Sequence, residues 1–265
     1  MAWTTLVGLI LGFGALLISN LLEGGSPASL INAPAAVIVF GGTIGTAFIA
    51  FPPGTVLGVP RTIMQIFKHK LPNTTQLISL LVELADKARR QGLLSLEEEE
   101  QRLTDPFMKK GLQLVVDGTD PETVRHLLET ETMRMAERHA RAYAILEAMG
   151  GYAPTMGIIG TVMGLVNVLS HAEDPSEMAA AIATAFLATL YGVATANLLW
   201  LPLASKLKEA NQEEVLVRHI MADGILAIQA GDNPRVVRTK LESSLPPKER
   251  GREVKEGEQS RSKEK

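Results

Sequence analysis

The chain has 265 residues, of which 46% are hydrophobic and 21% charged, with a formal net charge of −3 and no cysteine. This balance excludes a broad basic surface for nucleic acid, because no excess of cations is available to neutralise phosphates. Disulfides and thiolate metal ligands are excluded, and the five histidines form no ligand-spaced pair. With no nucleophile–base set or phosphate-binding loop, the sequence predicts a protein that is not an enzyme and needs no cofactor or metal.

The positive charges are distributed unevenly along the chain. Lysine and arginine are absent from residues 1–60 and from 142–205, whereas 13 of the 26 lie in 61–141 and 13 in 206–265. This segregation indicates two membrane-embedded blocks and two aqueous blocks.

Four apolar runs are long enough to cross a bilayer as helices, which requires about 20 residues each. They extend over about 3–22, 31–51, 149–169 and 178–201. Only a helix pairs all of its own backbone polar groups in lipid, so we predict an all-α integral membrane protein with four transmembrane helices. The first run has no basic segment before it and no clean cleavage site after it, so we expect a retained helix rather than a signal peptide.

The loops between paired spans contain no lysine or arginine. Residues 23–30 carry one acid and residues 170–177 carry three. Under the positive-inside rule these loops lie outside and the basic regions lie in the cytoplasm. Both termini are therefore expected to be cytoplasmic.

The first basic region shows the start and stop signals of a helical cytoplasmic domain. A short amphipathic helix is expected over 61–71. Thr74 or Thr75 can cap a second helix, which runs to about Gln91 and ends at Gly92.

Further helix starts follow in the same region. Ser95 and Glu98 have the spacing of a capping box, with Ser95 at the N-cap and Glu98 at the third helical position. A break at 104–106 precedes a short helix. Asp120 is placed to cap the next helix, with Pro121 at its first position.

No firm breaker separates Pro121 from the third span, so one helix of about 50 residues is expected, roughly 75 Å long. The fourth span likewise continues past Pro202 to near Gly231. The sequence thus predicts two long helices extending from the membrane into the cytoplasm. Residues from Pro246 onward are charged and poor in apolar content, and are expected to be disordered.

Gly157, Gly160 and Gly164 fall near one stripe of the third span. Small residues allow helices to approach closely in lipid, where little hydrophobic force holds them together. The stripe is equally consistent with packing inside one chain and with an interface between copies.

No Asp, Glu, Lys, Arg or His lies within the four spans. Intramembrane ionisable groups mark ion relays, so any ion transport by this chain requires a carboxylate from a partner. The hydroxyls of Thr161 and Thr189 lie on adjacent spans and can line a path, although each can also bond to its own helix backbone. Pro154 and Pro202 each remove a helix hydrogen bond near the cytoplasmic end of a span, which predicts either a hinge or a fixed bend.

Two segments carry a resemblance to a known family. They are GGYAPTMGIIGTVMGLVNVL, in the third span, and ATLYG followed by AN, a proline and a basic residue, in the fourth. Together they resemble the MotA/TolQ/ExbB family of ion-driven motor subunits. The additional N-terminal helix and the cytoplasmic domain of about 90 residues resemble the MotA branch. An ExbB/TolQ-type energy-transducing subunit, driving outer-membrane processes, is the alternative.

The resemblance implies a stator subunit of the bacterial flagellar motor, resident in the inner membrane and coupling inward H⁺ or Na⁺ flow to torque. MotA-like proteins form a pentameric ring around a dimer of a single-span partner, MotB, which supplies an intramembrane Asp. Pro154 and Pro202 match the two functional prolines of the family, and Thr189 matches a hydroxyl on the ion path. Thr161 matches a position that is often Thr in sodium-driven members, which leaves the coupling ion open.

The segment ARRQGLLSLEEE resembles the part of the MotA domain that engages the rotor protein FliG through an Arg and a Glu eight residues apart. Those positions correspond to Arg89 and Glu97. Arg90 and Glu98 are neighbours able to share the role.

These expectations divide the chain into five segments. They are two spans (1–52), a rotor-interacting helical domain (53–148), the channel spans (149–203), a helical extension (204–244) and a charged tail (245–265). Besides MotB, FliG and further copies of the chain, membrane lipid is the expected partner.

Overall fold

The computed structural model describes residues 2–68, 72–170 and 175–247. The described residues are almost entirely helical and include no strand, which confirms the predicted all-α class. The α-helices are α1 (Ala2–Leu22), α2 (Ala33–Ala36), α3 (Gly42–Ala50), α4 (Pro53–Lys68), α5 (Thr74–Gln91), α6 (Glu97–Arg102), α7 (Pro106–Val116), α8 (Pro121–Ser170), α9 (Pro175–Thr195), α10 (Leu201–Gln229) and α11 (Pro234–Ser243). Short 3₁₀ turns cover Pro27–Leu30 and Leu93–Leu96, and π-helical turns cover Val37–Gly41 and Ala196–Trp200.

Four helical stretches are long and apolar enough to cross a membrane, as predicted. They are Trp3–Leu22, Pro27–Ala50, Pro121–Ser170 and Pro175–Gln229. The last two extend well beyond the apolar runs, which confirms the two predicted long helices. The protein is therefore a multi-pass membrane protein.

The chain divides into two compact units. The membrane unit comprises Met1–His69 and Arg138–Ala210, and the second unit comprises Lys70–Glu137 and Asn211–Lys265. Helices α8 and α10 each contribute residues to both units. Most of the tail predicted to be disordered lies outside the described residues, as does much of the loop at 170–177.

Three local predictions about helix starts were wrong. Helix α4 begins at Pro53 instead of residue 61, because Phe51, which precedes two prolines, is extended (φ −129°, ψ 151°) and a new helix starts directly after it. The cap of α5 is Asn73 rather than Thr74 or Thr75, and its side chain accepts a hydrogen bond from the Thr75 amide at 3.0 Å.

The third error concerns the capping box. Ser95 lies inside a 3₁₀ turn, and its hydroxyl donates to the Gly92 carbonyl oxygen at 2.6 Å, so it is not available to cap α6. Leu96 occupies that N-cap and makes no side-chain bond. By contrast, Asp120 caps α8 as predicted, accepting from the Glu122 and Thr123 amides at 3.1 Å each.

The stripe of glycines on α8 packs inside the chain, against α9. A Cβ atom on Gly157 would lie 2.9 Å from the Ala188 carbonyl oxygen, and one on Gly164 would lie 2.7 Å from the Ala185 Cβ. Contacts this short leave no room for a side chain. The structure therefore uses the stripe for packing between the third and fourth spans.

The second unit has its own hydrophobic core, formed by α5, α7, α8, α10 and α11. Leu81 and Leu112 are fully buried there, as is Ile225. A Cβ on Gly111 would lie 2.4 Å from the Ile225 side chain, so these helices are in close contact. This packing holds α5 and α11 in fixed positions, with their charged faces exposed.

Candidate functional site

Thr161 and Thr189 face each other between the third and fourth spans. Their hydroxyl oxygens are in direct hydrogen-bonding contact, and both side chains are half-buried. The Thr161 hydroxyl also lies 3.0 Å from the Gly157 carbonyl oxygen and 3.1 Å from that of Ala185. The contact brings several oxygen atoms together, within a part of the protein that carries no charge of its own. Gly157 makes it possible, because its missing side chain lets α9 approach α8.

The other polar residues of these spans are engaged in structural bonds. Tyr191 accepts a hydrogen bond from the Asn32 amide at 2.9 Å and donates to the Leu30 carbonyl oxygen. The Asn32 side chain donates to the Thr184 hydroxyl at 2.9 Å and also caps α2. This network fastens the start of the second span to the fourth, and sequence reasoning did not identify Asn32.

Thr155 and Thr195 follow the simpler pattern. Their hydroxyls donate to backbone carbonyl oxygens of their own helices, three or four residues earlier, at 2.7 Å in each case. Thr161 and Thr189 differ from Thr155 and Thr195 because their hydroxyls are hydrogen-bonded to each other, from α8 to α9. These two threonines are therefore the best candidates for a polar path.

Pro154 and Pro202 both lie inside long helices. The backbone at Pro154 packs against Gly192, where an added Cβ would lie 2.5 Å from the Ala153 carbonyl oxygen and 3.1 Å from the Pro154 Cα. Pro202 is the second residue after the π-helical turn Ala196–Trp200. Single π-helical turns within α-helices are rare and are frequently found at functional sites.

A second candidate site lies on the second unit, which contains the four charged residues suggested by the resemblance. Arg89, Arg90, Glu97 and Glu98 are all exposed. Arg90 pairs with Asp86 at 2.9 Å. Within the part of the chain that the structure describes, the other three have no ion-pair partner. Arg89 and Glu97 therefore present charges that a partner can engage.

Arg235 joins this site from α11, which sequence reasoning did not anticipate. Together with Arg89, Arg90 and Asp86 it lines an open cavity of about 440 Å³. Asn233 caps α11 at the same place, accepting from the Arg235 amide at 3.0 Å. The cavity thus combines three guanidinium groups with one carboxylate, which is a net positive surface.

A salt bridge between Lys87 and Glu99 fixes the two charged segments relative to each other. The Lys87 amine donates to the Glu99 carboxylate at 2.8 Å, and both side chains are 27% exposed. This hydrogen bond from Lys87 is the main reason that the pKa of Glu99 is lowered, with the charges of Lys87 and Arg102 adding to it and partial desolvation opposing it. The bridge joins α5, which carries Arg89, to α6, which begins at Glu97.

We expect Glu99→Gln to lower the thermal stability of the purified protein at pH 7. A carboxyl whose pKa is lowered by folding stabilises the protein above the ordinary carboxyl range, about pH 4.3, and that contribution is lost as the pH falls through the lowered pKa. The difference from wild type is therefore largest near neutral pH and disappears in acid. Melting temperatures measured from pH 7 down to about pH 2 check this. Glu98→Gln is the control, and an equal effect there would contradict the salt-bridge explanation.

Two family models match the chain and together span most of it. The model described as "MotA/TolQ/ExbB proton channel family" matches residues 99–220, and the one described as "Motility protein A N-terminal" matches residues 6–92. The second match includes the additional N-terminal spans, which favours the MotA branch over the ExbB/TolQ alternative.

Known proteins resemble the chain over nearly its whole length. Motility protein A of Bacillus subtilis (strain 168) is 40% identical over 256 residues, which are 96% of this chain and 95% of that protein. Chemotaxis protein PomA of Vibrio alginolyticus is 39% identical, over 95% of this chain and 98% of that protein. A solved structure of the flagellar MotAB stator complex from Bacillus subtilis matches with a TM-score of 0.86 and 40% identity, over 92% of this chain and 96% of that chain.

The four spans, the polar contact between the last two and the helical second unit define a membrane-embedded motor or channel subunit. In agreement, the chain belongs to the MotA/TolQ/ExbB proton channel family. Within that family it is a stator subunit of the bacterial flagellar motor.

Proposed function

We propose that Thr161 and Thr189 line the ion path of the stator, next to a carboxylate supplied by a single-span MotB-like partner. The contact between the two hydroxyls is the observation that supports this most directly. The absence of Asp, Glu, Lys, Arg and His from the spans supports the need for a partner. We place the chain in the bacterial inner membrane, with both termini in the cytoplasm and five copies around the partner.

The partner's carboxylate provides the chemical step. Protonation or cation binding neutralises a carboxylate that is poorly solvated in the membrane, and this changes its interaction energy with the surroundings by several kcal/mol. The hydroxyl and carbonyl oxygens around Thr161 offer an incoming H⁺ or Na⁺ polar contacts at that point. A change of this size biases the ring of subunits between rotational positions. Pro154 in α8 and Pro202 in α10 act either as hinges during this rotation or as fixed bends that keep each helix rigid.

The charged site on the second unit passes the motion to the rotor protein FliG. Arg89 and Glu97 make the contacts, with Arg90 and Glu98 beside them. Exposed ion pairs contribute only about 0–1 kcal/mol each. Contacts of that strength form and break readily, which suits a surface that must engage successive rotor subunits.

Thr189→Val is expected to reduce ion flux through the stator by about three- to tenfold, because one hydroxyl contact of about 1 kcal/mol is removed from the path. Valine has a similar shape, so folding is preserved. Swimming speed and ion flux in a strain that relies on the variant stator provide the measurement.

Thr155→Val is the matched control, because the Thr155 hydroxyl bonds only to its own helix and is exposed. It should leave flux and swimming unchanged. Wild-type flux in Thr189→Val would contradict the proposed path. Repeating the measurement without sodium, and then with a protonophore, identifies the coupling ion.

A further inference from the structure

A groove in the membrane unit separates the start of α1 from the end of the fourth span. It has a volume of about 330 Å³, and Gly8 and Leu9 form one wall while Leu198, Leu203 and Lys206 form the other. The groove contains both apolar and polar surface. Pro202 also lines it, whereas Thr161, Thr189 and the charged site on the second unit do not.

The groove exists because α1 is in contact with the fourth span at Gly12 but is separated from it at Gly8. A Cβ on Gly12 would lie 2.8 Å from the Leu198 side chain, so the helices are in contact there. One turn closer to the N-terminus, a Cβ on Gly8 would find no atom within 4 Å. The missing side chain at Gly8 therefore leaves an opening between the helices.

Lys206 stands at the charged end of this groove. It ends the long run without lysine or arginine that begins at Ala142, and it lies one turn beyond Pro202. Its side chain is half-buried, and it has no ion pair or hydrogen bond among the residues that the structure describes. Its positive charge is therefore uncompensated within the described chain.

Lys208, two residues later, has a different environment. Its amine lies 4.0 Å from the Glu147 carboxylate and 6.0 Å from the centre of the Tyr143 ring. The chain thus neutralises one of two neighbouring lysines at the membrane boundary and leaves the other directed at a groove. Charge complementarity assigns an anionic occupant to that groove.

We propose that the groove binds one anionic phospholipid per subunit, with its phosphate at Lys206 and an acyl chain against Leu9, Leu198 and Leu203. A position where an apolar span meets its first lysine is the level of the lipid headgroups. Basic pockets between transmembrane helices on the cytoplasmic side are known to bind anionic headgroups. The leaflet follows from the proposed topology, whereas the binding itself requires only that the chain spans a membrane.

The test uses the full-length protein, purified in detergent and equilibrated with equal amounts of dioleoylphosphatidylglycerol and dioleoylphosphatidylcholine. Lipid that stays bound after washing is quantified per subunit by mass spectrometry. We expect phosphatidylglycerol to be retained in preference to phosphatidylcholine. Lys206→Gln should lower that preference about fivefold, which corresponds to the contribution of one lysine near an anionic lipid.

Three further variants make the result specific. Lys206→Arg should keep the preference and Lys208→Gln should leave it unchanged, whereas Gly8→Leu should lower total lipid retention by filling the groove. An unchanged preference in Lys206→Gln, or an equal loss in Lys208→Gln, would overturn the proposal. If Lys206→Gln instead changes the oligomeric state without altering bound lipid, another copy of the chain occupies the groove and the proposal is wrong. None of these readouts depends on motility or ion flux.

Discussion

Gly192→Ala is expected to impair folding of the membrane unit and thereby to abolish swimming. The new Cβ would lie 2.5 Å from the Ala153 carbonyl oxygen and 3.2 Å from the Ala153 carbonyl carbon. These are backbone atoms beside Pro154, so they cannot move aside as the end of a flexible side chain can. Overpacking of this kind costs about 1–3 kcal/mol. Separating α8 from α9 would also pull Thr161 away from Thr189, so function is affected even where the protein still accumulates.

The matched control is Gly45→Ala, on an exposed face of the second span where an added Cβ meets no atom within 4 Å. Melting temperature in detergent, membrane accumulation and swimming are compared for both variants. Gly45→Ala should resemble wild type in all three. A stable and motile Gly192→Ala protein would show that the two spans are not packed as described.

Reversing both charges of the rotor site, as Arg89→Glu with Glu97→Arg, is expected to eliminate swimming while leaving ion flux intact. Both residues are exposed and have no ion-pair partner among the described residues, so the change removes no internal contact. Each repulsive contact replaces an attractive one of up to about 1 kcal/mol, and the loss is repeated at every step of the rotor. Swimming and flux, measured in the same strain, separate rotor coupling from conduction.

Arg134 and Glu137 provide the control pair, because they are exposed on α8 of the same unit and are joined by a salt bridge of 3.1 Å. Exchanging them preserves that bridge and the net charge, so swimming should be unaffected. Normal swimming after reversal of Arg89 and Glu97 would rule out their role at the rotor. Arg235→Glu tests the added member of the site, and we expect a smaller loss of swimming.

The spans, the long helices and the cap of α8 followed from the sequence because their causes are local. Hydropathy identifies a span without knowledge of its neighbours, and Asp120 followed by Pro121 specifies a helix start by itself. The predicted cap at Ser95 failed for a local reason too, since its hydroxyl had a competing acceptor in the Gly92 carbonyl.

Contacts between residues that are far apart in the sequence depend on tertiary packing, which no short sequence pattern encodes. Asn32 is hydrogen-bonded to Tyr191, which is 159 positions away in the sequence. Arg235 and Arg89 lie on different helices and line the same cavity. For the same reason, the sequence could not tell whether the glycine stripe of α8 packs within the chain or between copies. Only the structure shows that α9 lies against it. The positions of Thr161 and Thr189 on adjacent spans suggested a polar path, and family resemblance suggested Arg89 for the rotor site. The geometry adds which neighbouring residues are occupied elsewhere.

The central claim is that this chain cannot move ions alone, because its spans carry no Asp, Glu, Lys, Arg or His. Reconstitution of the purified chain into liposomes, with and without a MotB-like partner, tests it most directly. We expect no H⁺ or Na⁺ flux from the chain alone, and flux when the partner with its intramembrane carboxylate is present. Selective cation flux through liposomes that contain only this chain would contradict the account.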